Sequence, residues 1–119
     1  MLVLDDDGDF RRSMAEGLAE TAVVIGVGTP VEALWELERT PVDILICDLM
    51  LAVSVDGVDV LTTVRDVWPR VGRILVTGFG QGLARDGLPA HAIMLKPCDL
   101  GALRELLRML PALTSPSAA

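Results

Sequence analysis

The sequence predicts an α/β fold, a doubly wound sheet of five parallel strands with helices on both faces. Short continuous aliphatic runs, typical of strands buried on both faces, alternate with segments in which apolar residues recur at helical spacing. The 119 residues are 51% hydrophobic and 23% charged, which fits one compact domain. Right-handed crossovers then favour the strand order 2-1-3-4-5, with ligands bound at the carboxyl ends of the strands.

The chain opens with a strand, a helix and a second strand. Residues 2–4 form a short aliphatic run that three aspartates interrupt, and this pattern predicts the first strand. Between residues 8 and 20, apolar side chains recur every four positions and predict an amphipathic helix: Phe10, Met14 and Leu18. Residues 23–27 are aliphatic and largely β-branched, which predicts a second, buried strand.

The middle of the chain predicts a helix, a strand and another helix. Residues 29–32 read Thr-Pro-Val-Glu, a capping box with proline at the first helical position, and Thr40-Pro41 ends this helix. Residues 44–47 are aliphatic apart from Cys47, and they predict a third strand that ends at Asp48. A helix is expected from about residue 56 to 67, because its apolar residues fall on one face.

The last third predicts two strands and a final helix. Residues 73–76 form the fourth strand, which ends at Thr77-Gly78, and the glycine-rich stretch that follows has room for one short helix. Residues 91–95 form the fifth strand. Four leucines on one face predict the last helix, which we expect Pro111 to close: Leu100, Leu103, Leu107 and Leu110. We therefore expect one domain over 1–111 and a flexible tail over 112–119.

Composition excludes several classes of protein. The net charge of −7 argues against nucleic acid as a direct partner. The longest apolar runs, near residues 22–28, are far shorter than the ~20 residues needed to span a bilayer, so we expect no membrane insertion. Cys47 and Cys98 lack metal-ligand spacing, and we expect reduced thiols in a cytoplasmic protein. The single histidine, His91, stands at the very start of the predicted fifth strand, next to the loop before it, and is expected at the surface.

Polar residues stand where the predicted strands end. Lys96, which follows the fifth strand, is the only lysine among ten basic residues. In a sheet ordered 2-1-3-4-5, strands one, three, four and five are neighbours, so their carboxyl-end residues converge on one crevice. The residues predicted to meet there are Asp5, Asp6, Asp7, Asp48, Thr77 and Lys96.

This set of side chains suits phosphoryl transfer to a carboxylate. Carboxylates about 4 Å apart repel by about 4 kcal/mol per pair at an effective dielectric constant near 20, unless a cation joins them. Mg²⁺ prefers one or two carboxylates together with water and phosphate oxygens. A hydroxyl and an ammonium would hold the remaining phosphoryl oxygens, and one aspartate would attack as the nucleophile.

Five segments of the chain form a recognisable set. They are residues 2–7 (Leu-Val-Leu-Asp-Asp-Asp), residues 43–51 around Asp48, Asp56-Gly57, residues 74–78 (Ile-Leu-Val-Thr-Gly) and Lys96-Pro97. In this order and at this spacing, they resemble the receiver domain of two-component response regulators. The resemblance covers residues 1–111 and implies a flavodoxin-like fold. One departure is Ile93, which stands where the family often has tyrosine or phenylalanine.

The resemblance also implies a function and a set of roles. The domain would take a phosphoryl group from a sensor histidine kinase or a histidine phosphotransfer protein, with Mg²⁺, and would change conformation to signal. It would catalyse its own phosphorylation and dephosphorylation while acting mainly as a switch. The implied roles are Asp48 as phosphoacceptor, Thr77 and Lys96 as phosphoryl contacts, and Asp5, Asp6, Asp48 and the Met50 carbonyl as Mg²⁺ ligands.

Two alternatives remain open at the level of sequence. Residues 5–8 also fit the opening motif of haloacid-dehalogenase-like phosphatases, in which Asp5 would be the nucleophile and Asp7 the general acid. A degenerate receiver that binds a partner without phosphorylation is the other alternative. Such a domain is expected to lack one of the acids, the threonine or the lysine, and this sequence retains them all.

Overall fold

The computed structural model describes residues 1–51, 57–78 and 87–114, and within them it confirms the predicted parallel sheet. Its five strands pair in the order β2-β1-β3-β4-β5. In chain order the elements are β1 (Leu2–Leu4), α1 (Gly8–Gly17), β2 (Ile25–Val27), α2 (Pro30–Arg39), β3 (Ile44–Asp48), α3 (Gly57–Val67), β4 (Gly72–Thr77), β5 (Ala92–Leu95) and α4 (Leu100–Thr114).

The strands are parallel, so their carboxyl ends share one edge of the sheet. β1 lies between β2 and β3, and its Leu2 pairs with Ile25 of β2 on one side and with Leu45 of β3 on the other. At the far end of β3, Asp48 pairs with Val76, and the next residue of β4, Thr77, pairs with Leu95. This register places the last residues of β3, β4 and β5 side by side.

Side chains of the strands alternate between two hydrophobic cores, one on each face of the sheet. Leu4, Cys47 and Leu75 lie in the core beneath α2 and α3, whereas Ile46 and Val76 face α1 and α4. Alternation of this kind is what a strand covered on both faces requires. Both layers of helices therefore hold the central strands, and with them the carboxyl edge, in a fixed position.

Side-chain hydrogen bonds cap the amino-terminal ends of α1 and α2, which start beside the carboxyl edge. The Thr29 hydroxyl oxygen accepts from the backbone N–H of Glu32 at 3.2 Å, and the hydroxyl donates to the Glu32 carboxylate at 3.0 Å. The N-cap hydrogen bond of the predicted capping box is therefore present at α2, where the Glu32 carboxylate accepts from the Thr29 hydroxyl. Asp7 caps α1 in the same way, because its carboxylate accepts from the backbone N–H of Asp9 at 2.9 Å.

The largest differences from the predictions are at three element boundaries. α1 ends at Gly17 rather than at residue 20, and β2 contains only its last three predicted residues. α4 does not end at Pro111 but runs to Thr114. Proline removes one backbone donor from a helix and bends it, but neighbouring hydrogen bonds can carry the helix onward.

Some predicted features lie outside the described residues. They are the short helix expected after Gly78, within residues 79–86, the first residue of the third helix at 56, and the end of the tail at residues 115–119. The division into a domain over 1–111 and a tail stays a prediction. No helix in the described ranges is both long and apolar enough to cross a membrane.

Candidate functional site

The carboxyl edge brings together three of the predicted side chains in direct contact. Asp5 follows β1, Asp48 ends β3, and Lys96 follows β5. The Lys96 ammonium lies 2.8 Å from Asp5 Oδ2 and 3.3 Å from Asp48 Oδ2. Backbone hydrogen bonds extend the strand pairing to these positions, including one from Lys96 N to the Thr77 carbonyl at 2.9 Å. The lone lysine of the chain therefore bridges two carboxylates across the sheet.

Acidic oxygens outnumber the cation at this site. One carboxylate oxygen from each of Asp5, Asp6 and Asp48 lies within 4.8 Å of the other two. Asp5 is fully buried, Asp48 is 8% exposed and Asp6 is exposed. Three carboxylates of graded exposure, with one open to solvent, form a donor set that suits a hard divalent cation such as Mg²⁺. These three residues would hold the ion.

The ionisation of Asp48 reflects this crowding. Burial raises the pKa of Asp48 above its ordinary value, and the charge of Asp5 raises it further. The opposite charge of Lys96 and a hydrogen bond from the Met50 backbone N–H offset these effects only in part. For Lys96, burial acts to lower the pKa, but the hydrogen bond and charge of Asp5, and then those of Asp48, raise it overall. The lysine is thus held as a cation beside a carboxylate that is costly to ionise.

Met50 and Thr77 border Asp48 without belonging to the ion-paired group. The Met50 backbone N–H donates to Asp48 Oδ1 at 3.3 Å, while the Met50 side chain is 56% exposed. Thr77 is fully buried at the end of β4, on the strand adjacent to Asp48. The implied roles of the Met50 carbonyl as a metal ligand and of the Thr77 hydroxyl as a phosphoryl contact stay predictions.

Asp7 lies outside the acid group, although the sequence places it with Asp5 and Asp6. Its carboxylate caps α1, and its backbone N–H donates to Asp5 Oδ1 at 2.9 Å. Asp7 therefore orients Asp5 through its backbone. A general-acid role, as in the phosphatase alternative, would require the carboxylate that already caps the helix.

Gly57 fixes the backbone of Asp48 from below. Its N–H donates to the Leu49 carbonyl at 2.8 Å, and a Cβ atom at this position would lie 2.1 Å from the Asp48 carbonyl oxygen. No side chain fits there without displacing the end of β3. This close approach explains why a glycine stands at the second position of the Asp56-Gly57 pair.

Two residues of α1 support the site and were not assigned roles from the sequence. Arg11 Nη1 donates to the Asp5 carbonyl at 2.6 Å. The Phe10 ring centre lies 4.5 Å from Lys96 Nζ, on the border of a cavity of about 480 Å³. The available signal was their place in the first turn of a helix that begins directly after the acidic segment. That position alone does not say which strand-end residue each would meet.

A second polar cluster lies at the opposite, amino end of the sheet. Arg73 of β4 is only 7% exposed. His91 is half-buried rather than at the surface as expected, because its Nδ1 accepts from the Arg73 backbone N–H at 3.0 Å. Burial lowers the pKa of His91, and the charge of Arg73 lowers it further. This pair lies far from the acid group and plays no part in its chemistry.

Comparison with known proteins shows which family the chain belongs to. The family model for the response regulator receiver domain matches residues 1–108. The chain belongs to this family. It is 33% identical over 79 residues to the hydrogenase transcriptional regulatory protein HoxA of Cupriavidus necator, covering 66% of this chain and 16% of that protein. The chain therefore spans about a sixth of the length of this curated relative.

Solved receiver structures share the fold of this receiver domain. The signal receiver domain of an HD domain-containing protein from Pseudomonas fluorescens Pf-5 superposes with a TM-score of 0.85 at 23% identity, covering 95% of this chain and 94% of that one. The BeF₃-activated DrrB receiver domain gives a TM-score of 0.78 at 19% identity, covering 93% and 95%. The family match favours a receiver over the phosphatase alternative.

Proposed function

We propose that this receiver domain accepts a phosphoryl group on Asp48 from the phosphohistidine of a sensor histidine kinase or histidine phosphotransfer protein, with Mg²⁺. Receiver domains of two-component systems interact with such partners and bind Mg²⁺ at an acidic pocket. The observation that carries the proposal is the contact of one lysine with Asp5 and Asp48 inside a group of three acids. A switch that is phosphorylated on Asp48 would use the lysine and all three acids.

Asp48 is better placed than Asp5 to act as the nucleophile. Asp5 is fully buried, and its carboxylate oxygens accept from the Asp7 backbone N–H at 2.9 Å and from Lys96 at 2.8 Å. The corresponding hydrogen bonds to Asp48, from Met50 and Lys96, are both longer, at 3.3 Å. Asp48 retains some exposure and lies centrally, with β1 and its Asp5 on one side and β4 with Thr77 on the other. A donor that approaches the carboxyl edge from solvent would therefore reach Asp48.

The proposed step transfers phosphorus between two nucleophiles. A carboxylate oxygen of Asp48 forms a bond to phosphorus while the P–N bond of the phosphohistidine breaks, and the electron pair of that bond stays on the imidazole nitrogen. Lys96 and Thr77 hold phosphoryl oxygens. Mg²⁺, when bound by Asp5, Asp6, Asp48 and the Met50 carbonyl, offsets negative charge on the transferring group.

The negative charge of the site explains why a metal would be required. Lys96 supplies one positive charge against three carboxylates, and the incoming phosphoryl group adds more negative charge. Repulsion of this kind opposes both binding and transfer unless a divalent cation is present. The proposed location is the cytoplasm, where the two cysteines stay reduced. The conformational change that follows, and the downstream partner, are part of the same proposal.

The test is labelling by a small acyl phosphate, followed by mass-spectrometric mapping of the modified peptide. We expect Mg²⁺-dependent labelling of Asp48, loss of labelling in Asp48→Asn, and normal labelling in Asp66→Asn, which removes an exposed acid of α3. Chelation of Mg²⁺ should abolish the signal. Because the similar DrrB receiver domain is activated by BeF₃, binding of beryllofluoride with Mg²⁺ is a second probe.

Two results would overturn the proposal. Labelling that maps to Asp5 and persists in Asp48→Asn would revive the phosphatase alternative. Absence of both labelling and beryllofluoride binding in a folded protein would instead indicate a degenerate receiver that only binds a partner.

A further inference from the structure

The Lys96 ammonium is enclosed by three groups. Two are the carboxylates of Asp5 and Asp48, at 2.8 Å and 3.3 Å, and the third is the face of the Phe10 ring, whose centre is 4.5 Å from Nζ. A cation within about 6 Å of a ring centre is attracted by the negative face of the aromatic system. The ring is therefore a third contact of the ammonium, beside the two carboxylates.

We propose that Phe10 is a positioning residue, which holds the Lys96 ammonium toward Asp48 during phosphoryl transfer. This inference rests on the function proposed above and adds to it a residue that never contacts the phosphoryl group. The role requires that the ring stay in place and that the lysine side chain have another conformation available when the ring is absent.

The ring is fixed because it belongs to a packed helix. Phe10 is half-buried and packs against the core cluster between the sheet and the α1–α4 layer. The helix is also held at the positions on either side of Phe10. The Asp9 backbone N–H donates to the Asp7 carboxylate, and Arg11 donates to the Asp5 carbonyl. A side chain with two torsions, held by its core contacts, cannot follow the movements of the lysine.

The lysine, in contrast, has space to leave the site. Its stem has four methylene groups, and its ammonium is a compact, strongly hydrated charge. A cavity of about 480 Å³ borders the lysine, and Phe10 and Met14 are among the other residues that line it. Without the ring, the third side of the ammonium would face the water of this cavity. The ring thus biases the lysine toward the carboxylates and away from the cavity.

The contact can be measured directly because Lys96 is the only lysine of the chain. Lysine-selective isotope labelling gives a single side-chain spin system, and the ring current of Phe10 should shift the Hε resonances of Lys96 upfield. We expect Phe10→Leu, which keeps an apolar side chain, to abolish this shift and Phe10→Trp to restore it. Met14→Leu, a volume-conserving change on the same helix and the same cavity, is the matched control and should leave the shift intact.

The functional readout is the rate of Asp48 labelling by a small acyl phosphate at saturating donor and Mg²⁺. We expect Phe10→Leu to lower this rate by about two- to tenfold with little change in the donor concentration at half-maximal rate, the scale of one cation–π contact. Phe10→Trp and Met14→Leu should stay near the parent rate. If Phe10→Leu fails to fold, Phe10→Met provides the same loss of the ring with an unbranched side chain.

The outcomes separate this inference from the proposed function. A parent protein that is not labelled at Asp48 overturns the proposed function, and the positioning role with it. A parent that is labelled, with equal rates in Phe10→Leu and Phe10→Trp, overturns the positioning role alone. An unshifted Lys96 spectrum in the parent also overturns it, because the ring contact is then absent in solution.

Discussion

The two ends of the sheet bury charge in opposite ways. At the amino end, the Arg73 guanidinium donates only to backbone carbonyls and faces one histidine. At the carboxyl end, Lys96 meets two carboxylates, and a third acid, Asp6, lies close by. One end has a single cation with neutral partners, whereas the other has more anions than cations.

The hydrogen bonds of the amino end are complete. Arg73 Nε donates to the Pro89 carbonyl at 2.9 Å, and Nη1 donates to the carbonyls of Pro69 and Val71 at 3.2 and 3.1 Å. Among the described residues, no carboxylate forms an ion pair with Arg73. Its donors tie the connection between α3 and β4 to the segment before β5, and this end of the sheet needs no ligand.

The carboxyl end differs in its charges rather than in its hydrogen bonds, because three carboxylates lie close together around one ammonium. Carboxylates this close repel one another unless a cation joins them, whereas a guanidinium bonded to backbone carbonyls stabilises the fold. We therefore infer that the polar cluster of the amino end stabilises the fold, whereas that of the carboxyl end binds a ligand and carries the chemistry. Variants and ligands that affect only one of the two ends test this difference.

The largest expected effect on stability is at the amino end. Arg73→Met should lower the free energy of unfolding by about 2–4 kcal/mol, because it leaves the buried carbonyls of Val71 and Pro89 without this donor. Chemical denaturation measures this change. Arg12→Met, at an exposed arginine of α1, is the control and should change stability by less than about 0.5 kcal/mol. Equal stability of the two variants would contradict a structural role for Arg73.

Mg²⁺ should stabilise the carboxyl end and leave the amino end unaffected. At one hundred times its dissociation constant, an ion that binds only the folded protein raises the free energy of unfolding by about 2.7 kcal/mol. We expect this increment in the parent and in Arg73→Met, and a smaller one in Asp5→Asn, in thermal melts with and without Mg²⁺. An increment that persists in Asp5→Asn would place the ion elsewhere.

The smallest expected effect is the pH dependence of the amino end. The pKa of His91 is lowered by burial and by the charge of Arg73, so the folded state favours the neutral imidazole. The resulting stability is fully present above the ordinary pKa of 6.5 and is lost as the pH falls below it. In His91→Gln, the free energy of unfolding should therefore fall less between pH 7 and pH 5 than in the parent. Parallel pH curves for the two proteins would contradict this assignment.

Much of the carboxyl end could be predicted because its residues are set by strand ends. Asp48 and Thr77 stop aliphatic runs, and the order of the strands then brings them to one edge. The capping box at Thr29 was predictable for a similar reason, since it depends only on local spacing. Local patterns and one topological rule were sufficient for these features.

The remaining features depend on contacts that spacing does not encode. Arg73 and His91 are eighteen positions apart, and they meet only through the register of β4 and β5. The four-residue spacing of Phe10 predicts a face of α1, but not the cation that lies over the ring. The end of α4 was missed because a proline weakens a helix without always ending it.

The carboxyl end holds excess negative charge, which we propose that Mg²⁺ offsets when it binds. Burial and the charge of Asp5 raise the pKa of Asp48, so the ionised form of Asp48 destabilises the folded state at neutral pH. The most direct test is the free energy of unfolding of the parent and of Asp48→Asn, each with and without saturating Mg²⁺.

Without Mg²⁺, Asp48→Asn should be more stable than the parent, by on the order of 1 kcal/mol, because one crowded carboxylate is removed. With Mg²⁺, the difference should shrink or reverse, because the parent gains the larger stabilisation from the ion. A less stable Asp48→Asn without Mg²⁺, or a difference that Mg²⁺ does not change, would contradict the claim.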